Sequence, residues 1–299
     1  MEIRALLFDV NGTLIDIETD EWMEEAYRAI AHYLTYQGIA LHRGEVRDAY
    51  FRIMKTQLAA SREMYPEFDV VAVWREALRQ YGTEYTSSLG LEKLLQMPLF
   101  LAEVQRGIAR KRLLAFPQTH EVLAQLKTRY KLAVVSDAQS AYGVPELRAV
   151  GLAEYFAPIV ISGDYGYRKP DPRLFQAALA ELEAQPEEAI YIGNDRFRDI
   201  FGARQVGMKT ILFCPRGNPG GSPETEPDYL LYQFADLPRA IEFFTGIHED
   251  YHQPSDDVSK IRFDELARIL DVMSDLASYY AQGASRPVYK RPAWFLTPE

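Results

Sequence analysis

Five short apolar runs, each closed by a polar residue or a cysteine and separated by long intervals with helical spacing, constrain this chain more than any other feature. They are ALLFDV (5–10), KLAVVSD (131–137), PIVISGD (158–164), AIYIGND (189–195) and KTILFC (209–214). Continuous rather than alternating apolar character marks strands buried on both faces, as in a parallel sheet. Between them, residues 119–128 carry Val122, Leu123 and Leu126, and residues 173–183 and 197–206 repeat the helical spacing. Strands alternating with helices predict the α/β class: a doubly wound, Rossmann-like parallel sheet with right-handed crossovers. Ligands of such sheets bind beyond the carboxyl ends of the strands, so Asp9, Ser136, Asn194 and Asp195 are expected in one crevice.

Residues 17–112 break the alternation. They show no strand-like run and read as three to five helices: Trp22, Met23, Ala26, Ile30, Tyr33 and Leu34 recur at helical spacing up to Gly38, and 41–58, 70–81 and 90–114 look alike. From residue 246 a polar stretch precedes an amphipathic helix with apolar residues at 263, 266, 269, 270, 273 and 276, and the ending is rich in proline. The expected organisation is a core of 1–16 and 113–245, an inserted all-α cap of 17–112, and a helical extension of 246–299.

Composition narrows the function classes. Forty-three acidic against 33 basic residues give a formal charge of −10, which argues against nucleic acid or an anionic membrane as partner. The single cysteine, Cys214, rules out an intramolecular disulfide and a cysteine-built zinc site. No run of about 20 apolar residues predicts a membrane span, and the start lacks the cleavage pattern of a secretory signal. A cytoplasmic protein is expected, with its oligomeric state left open.

Four motifs stand in order at the strand ends: Asp9-Val10-Asn11-Gly12-Thr13-Leu14, Ser136-Asp137, Arg168-Lys169-Pro170-Asp171-Pro172, and Gly193-Asn194-Asp195 with Asp199. A carboxylate at a strand end can attack phosphorus as a nucleophile, which makes Asp9 the candidate. Gly12 allows a tight turn whose amides face an anion. Ser136 can hold a phosphoryl oxygen, and Lys169, in the loop ahead of a helix capped by Asp171 and Pro172, supplies a fixed cation. Together the motifs resemble the haloacid dehalogenase superfamily, mostly Mg²⁺-dependent phosphatases with a helical cap inserted after the first motif. The resemblance covers residues 1 to about 240. It implies catalytic Asp9, Asn11, Ser136 and Lys169, phosphate contacts from Gly12, Thr13, Ser136, Asp137 and Lys169, and Mg²⁺ near Asp9, Asn11, Asn194, Asp195 and Asp199. Asp195, four residues before Asp199, is the favoured ligand, with Asn194 and Asp199 supporting Lys169 or the waters of the metal. The implied substrate is a small phosphorylated molecule.

One position departs from the pattern. Family phosphatases carry a second aspartate two residues after the nucleophile as acid and base, whereas this chain has Asn11. An amide donates hydrogen bonds but transfers no proton at neutral pH. Three readings follow: a slow phosphatase, which is favoured; a dehalogenase-like hydrolase, against which Asn11 and the acidic cluster at 195–199 both argue; or a noncatalytic binding protein.

Residues 243–261, FFTGIHEDYHQPSDDVSKI, resemble the C-terminal end of a two-zinc aminopeptidase family in which a histidine matching His252 ligates metal. The other ligand motifs of that family are missing upstream, so the segment reads as a fused fragment.

Overall fold

The computed structural model describes residues 2–217 and 220–245. The C-terminal extension expected over 246–299, including His252, lies outside the described residues.

Six parallel strands form one sheet in the order β5-β4-β1-β6-β7-β8. They are β1 (Ala5–Phe8), β4 (Lys131–Ser136), β5 (Ile159–Ile161), β6 (Ala189–Gly193), β7 (Lys209–Phe213) and β8 (Tyr229–Leu231). β1 is central, pairing Phe8 with Val134 of β4 on one side and with Ile192 of β6 on the other. The chain adds strands first to one side of β1 and then to the other, so the strand order reverses there, which is where open sheets of this type bind ligands.

The period of two divides the apolar strand residues between two layers. Leu6, Phe8, Leu132, Val134, Ile190 and Ile192 pack with α6 (Thr119–Lys127) and α10 (Leu237–Thr245). Ala5, Leu7, Ala133, Val135 and Tyr191 pack instead with α8 (Pro172–Leu182) and α9 (Gly202–Val206). Covering both faces is why these strands show no polar alternation.

Between the first strand and the rest of the sheet come α1 (Glu24–Thr35), α2 (Arg43–Ala60), α3 (Val70–Tyr81), the single turn α4 (Glu84–Ser87) and α5 (Leu91–Ala109). They close on a separate apolar cluster that includes Tyr27, Ile30, Tyr50, Trp74 and Leu101. The aromatic stripe of this region is therefore core.

The expectation that 17–112 holds no strand is corrected. β2 (Ile15–Thr19) pairs antiparallel with β3 (Arg110–Ala115), so α5 stops at Ala109 rather than running to 114. This ribbon is exposed and charged, and Arg112 crosses to Asp16 and Glu18, each at 2.9 Å. Cross-strand ion pairing replaced the apolar run that marks the central strands. Two further elements carry weak sequence signals. β8 is three residues long, and α7 (Ser140–Ala149) contains Gly143 and Pro145, helix breakers whose cost is met by burying Gly143, Glu146 and Leu147. Among the described residues no helix is long and apolar enough to cross a membrane.

Candidate active site

Asp9 extends the ladder by one residue, its N–H donating to the Ile192 carbonyl at 2.9 Å. The chain then turns at once: the N–H groups of Thr13, Leu14 and Ile15 all point to the Val10 carbonyl, at 3.2, 2.9 and 3.0 Å. Gly12 sits in this turn with φ +85°, and a methyl group there would come within 2.4 Å of the Asn194 amide. Both the backbone angle and the close approach require glycine. Thr13 is fully buried, with Oγ1 3.5 Å from Asp9 Oδ2.

Lys169 reaches the same point from the loop before α8, whose N-terminus is capped by Asp171 accepting from the Arg173 N–H at 3.0 Å. Its side chain is 2% exposed, and Nζ donates to Asp9 Oδ1 at 2.7 Å, Asp199 Oδ1 at 2.6 Å and the Tyr191 hydroxyl at 3.1 Å. The Tyr191 hydroxyl in turn donates to the Val135 carbonyl at 2.9 Å. Asp199 spends its other oxygen on the N–H groups of Asn194 and Asp195, at 3.0 and 2.8 Å. Gly193 makes that possible, since a methyl group there would lie 2.5 Å from the Asp199 carboxylate. Asp199 thus ties the end of β6 to the lysine and has no oxygen left over.

Burial and charge act in opposite directions on this cluster. Burial pushes the Asp9 carboxyl up to about 6, more than the neighbouring Lys169 pulls it down. Burial also disfavours the Lys169 ammonium, but Asp199 and Asp9 outweigh it and hold that group well above its ordinary value. Lys169 is a permanent cation between two carboxylates.

Ser136 and Asp137 complete the crevice from the end of β4. Ser136 is buried and its Oγ has no hydrogen-bond partner among the described residues. Asp137 accepts the Lys169 backbone N–H on Oδ1 at 2.9 Å. Burial raises its carboxyl, against the pull of Lys169.

The two candidate ligands in the fourth motif face different ways. Asp195 turns from Asp9: Oδ1 accepts the N–H groups of Phe197 and Arg198 at 2.9 and 2.7 Å, capping the π-helical turn Arg196–Phe201, and Oδ2 pairs with the Arg198 guanidinium at 3.0 Å. Asn194 turns toward the site, with one terminal atom of its amide 3.2 Å from both Asp9 Oδ2 and the Asn11 carbonyl oxygen. As the nitrogen, that atom donates to both. As the oxygen, it stands 3.2 Å from each of two others, close to the separation of about 3 Å between neighbouring ligands that each lie about 2.1 Å from Mg²⁺. The residues present therefore fit Mg²⁺ through Asp9, the Asn11 carbonyl and Asn194, with Asp9 as the one carboxylate. Among the described residues no group of three or more His, Cys, Asp and Glu side chains is placed to hold a metal.

Asp9, Asn11, Gly12, Thr13, Ser136, Asp137, Lys169, Asn194 and Asp199 are thus brought together at the ends of β1, β4 and β6, while Asp195 lies to one side. Tyr191 was not singled out from the sequence. Its signal was a lone hydroxyl inside the apolar run AIYIG, because a buried tyrosine oxygen needs a partner.

A strand-end carboxylate facing one buried ammonium stands at the reversal point of a parallel sheet, where α/β enzymes of this type bind their ligands. Comparison with known families makes this specific: the model of the haloacid dehalogenase-like hydrolases matches residues 6–213, and the chain belongs to that family. A glyceraldehyde 3-phosphate phosphatase of Pyrococcus furiosus is 31% identical over 241 residues, covering 80% of this chain and 92% of that protein. A phosphoserine phosphatase of Thermus thermophilus is 36% identical over 125 residues, but the match spans 40% of this chain and about half, 48%, of that protein. Among solved structures, a 2-haloacid dehalogenase from Pseudomonas syringae shares the fold, with a TM-score of 0.64 at 23% identity over 81% of this chain and 99% of that one.

Proposed function

We propose that this hydrolase is a phosphatase for a small phosphorylated metabolite, with Asp9 as nucleophile. The observation that carries the reading is the Asp9–Lys169–Asp199 cluster. It presents a carboxylate oxygen at the ligand end of the sheet and supplies one fixed positive charge beside it. The phosphatase relatives support phosphorus rather than carbon as the centre attacked.

In this reading Asp9 attacks the phosphoryl group and the ester oxygen departs, leaving an aspartyl phosphate that water then cleaves. Lys169 Nζ neutralises charge on the transferred group and aligns Asp9, while Ser136 Oγ, which has no partner among the described residues, holds one of its oxygens. Asp199 and Tyr191 position Lys169. Mg²⁺, held by Asp9, the Asn11 carbonyl and Asn194, supplies further positive charge to the phosphoryl oxygens when bound. Asn11 donates hydrogen bonds and no proton, so position 11 itself supplies no acid for the leaving oxygen.

Helices α1–α5 act as a cap that excludes water. The segment between α2 and α3 supports this reading. The Glu67 N–H donates to the Gly166 carbonyl at 3.0 Å, the Arg168 N–H donates to the Tyr65 carbonyl at 2.9 Å, and Ser162 donates to Glu67 at 2.9 Å.

The test is hydrolysis of 4-nitrophenyl phosphate, with and without Mg²⁺, by the wild type, Asp9→Asn and Asn11→Asp, with halide release from 2-chloropropionate followed in parallel. Turnover that depends on Asp9 is expected. Halide release without phosphate release would favour the dehalogenase reading.

A further inference from the structure

Resting on the phosphatase reading, we infer that Asp137 is the catalytic acid and base that position 11 lacks. A leaving alkoxide needs a proton, and no group on the 10–14 turn can give one, since Asn11 carries an amide. A substitute must be a carboxyl or imidazole that faces the crevice, keeps an atom free for substrate and sits where burial favours its protonated form.

The neighbouring candidates fail on one count or another. Asp199 has both oxygens engaged, Asp195 caps a helical turn, and Lys169 is fixed as a cation between carboxylates. Glu67, from the segment between α2 and α3, accepts from Ser162 on one oxygen and from the Phe68 N–H on the other.

Asp137 satisfies each requirement. It follows Ser136 at the end of β4, directly beside β1. Its side chain is 8% exposed. Oδ1 is anchored by the Lys169 N–H, which fixes its position relative to the lysine that holds Asp9. Oδ2 is buried without a hydrogen-bond partner among the described residues, and so is the adjacent Ser136 Oγ. The nearest cation to Oδ2, Arg198 Nη1, stands at 3.8 Å, beyond hydrogen-bond reach. Buried polar atoms are almost always paired, so two neighbouring unpaired ones mark a place where substrate atoms are received.

Charge gives the same answer. Lys169 and Arg198 favour the Asp137 carboxylate, whereas burial, Asp199 and nearby Asp9 favour the acid. An arriving phosphate adds negative charge, and an ionised Asp137 would repel it. The protonated form both accommodates the substrate and carries the proton required.

The steps balance. As Asp9 oxygen bonds to phosphorus, the bond from phosphorus to the ester oxygen breaks with its electron pair on oxygen, and the Asp137 proton passes to that oxygen to give the alcohol. Asp137, now a carboxylate, takes a proton from the water that attacks the aspartyl phosphate. Phosphate leaves, Asp9 is again a carboxylate, and Asp137 is again an acid.

The test compares phenyl phosphate, whose leaving group needs a proton, with 2,4-dinitrophenyl phosphate, whose leaving group does not. In Asp137→Asn, kcat for phenyl phosphate should fall by about 100-fold to 10,000-fold. With the dinitrophenyl ester the same variant should release about one equivalent of phenolate in a burst and then stall, because no base activates water. Adding Asn11→Asp to this variant should restore turnover of phenyl phosphate. Equal losses on both esters without a burst, or no loss on either, would overturn the assignment. The wild type supplies a second measure that needs no variant: its kcat/KM should depend little on leaving-group acidity, and a steep dependence would also overturn it. Absence of any Asp9-dependent turnover of either ester in the wild type would instead remove the phosphatase reading itself.

Discussion

Lys169 Nζ stands 2.7 Å from Asp9 Oδ1 in a space where the two side chains are 2% and 8% exposed, and it is shared with Asp199 at 2.6 Å. One ammonium therefore serves two carboxylates, and the cluster carries a net negative charge before any ligand arrives. A buried pair of this kind adds little stability over an apolar replacement, but removing one member leaves the other charge uncompensated.

Replacing Lys169 by Met removes the shared cation from both partners at similar volume. The expected cost is about 3–5 kcal/mol, or a fall of very roughly 6–20 °C in Tm for a chain of this size. The deficit should be smaller at pH 5 than at pH 8, because protonating Asp9 relieves the repulsion between the carboxylates. Thermal denaturation at the two pH values checks this, and an equal deficit at both would show that the loss is packing alone. Lys169→Arg should not restore activity, since a planar guanidinium cannot aim at Asp9, Asp199 and Tyr191 together.

The Asp9 carboxyl, pushed up to about 6 by burial against its ordinary 3.8, predicts the sign of a stability change. The folded state binds more protons than the unfolded state between those values, so the contribution of Asp9 is most favourable below about pH 4 and is lost as pH rises through about 6. The difference is on the order of 3 kcal/mol. Phosphate esters also titrate near pH 6, which blurs a rate profile. The difference in Tm between wild type and Asp9→Asn from pH 4 to 8 is the cleaner readout. It should move against the wild type by roughly 6–12 °C over that range, and a flat difference would place the Asp9 pKa elsewhere.

What was legible in the sequence follows from what is buried on both sides. β1, β4, β5, β6 and β7 could be read because burial removes polar residues from both faces; their polar ends located Asp9 and Ser136, and the motifs that follow β5 and β6 located Lys169 and Asp199. The β2–β3 ribbon was not legible, since its stability lies in pairs such as Arg112 with Asp16 and Glu18, visible only once two segments about 95 residues apart are set side by side. The choice between Asn194 and Asp195 was hidden for a similar reason. Spacing puts both at the end of β6. Which one faces Asp9 depends on the next turn, where Asp195 is drawn off by the N–H groups of Phe197 and Arg198.

That orientation predicts opposite outcomes for two neighbouring substitutions. Asn194→Asp places a second carboxylate beside Asp9 Oδ2 and the Asn11 carbonyl. It should tighten Mg²⁺ or Mn²⁺ binding by about tenfold or more, because ligand charge sets the affinity of oxygen sites. Asp195→Ala should leave that affinity within about twofold and cost about 1 kcal/mol through the lost cap. Calorimetric titration of both variants decides the matter, and a larger loss of affinity in Asp195→Ala would return the ligand role to Asp195.

Gln139 offers a way to loosen the helical insertion without touching the chemistry. At the start of α7 its amide accepts the Val70 N–H at 2.9 Å and donates to the Phe68 carbonyl at 2.6 Å, fastening the entry of α3 to the end of β4. The side chain is buried, as is Val70, so Gln139→Leu strands a buried donor and a carbonyl that water does not easily reach. A cost of about 1–3 kcal/mol is expected. If the insertion closes as a cap, the loss should be local: the Val70 amide should exchange with solvent about tenfold faster or more, and residues 61–70 should become the first site of limited proteolysis. Amides of β1 and β6 should slow or quicken only with global stability. Uniform acceleration across the sheet would mean that Gln139 supports the whole fold rather than the closure of α1–α5 over the site.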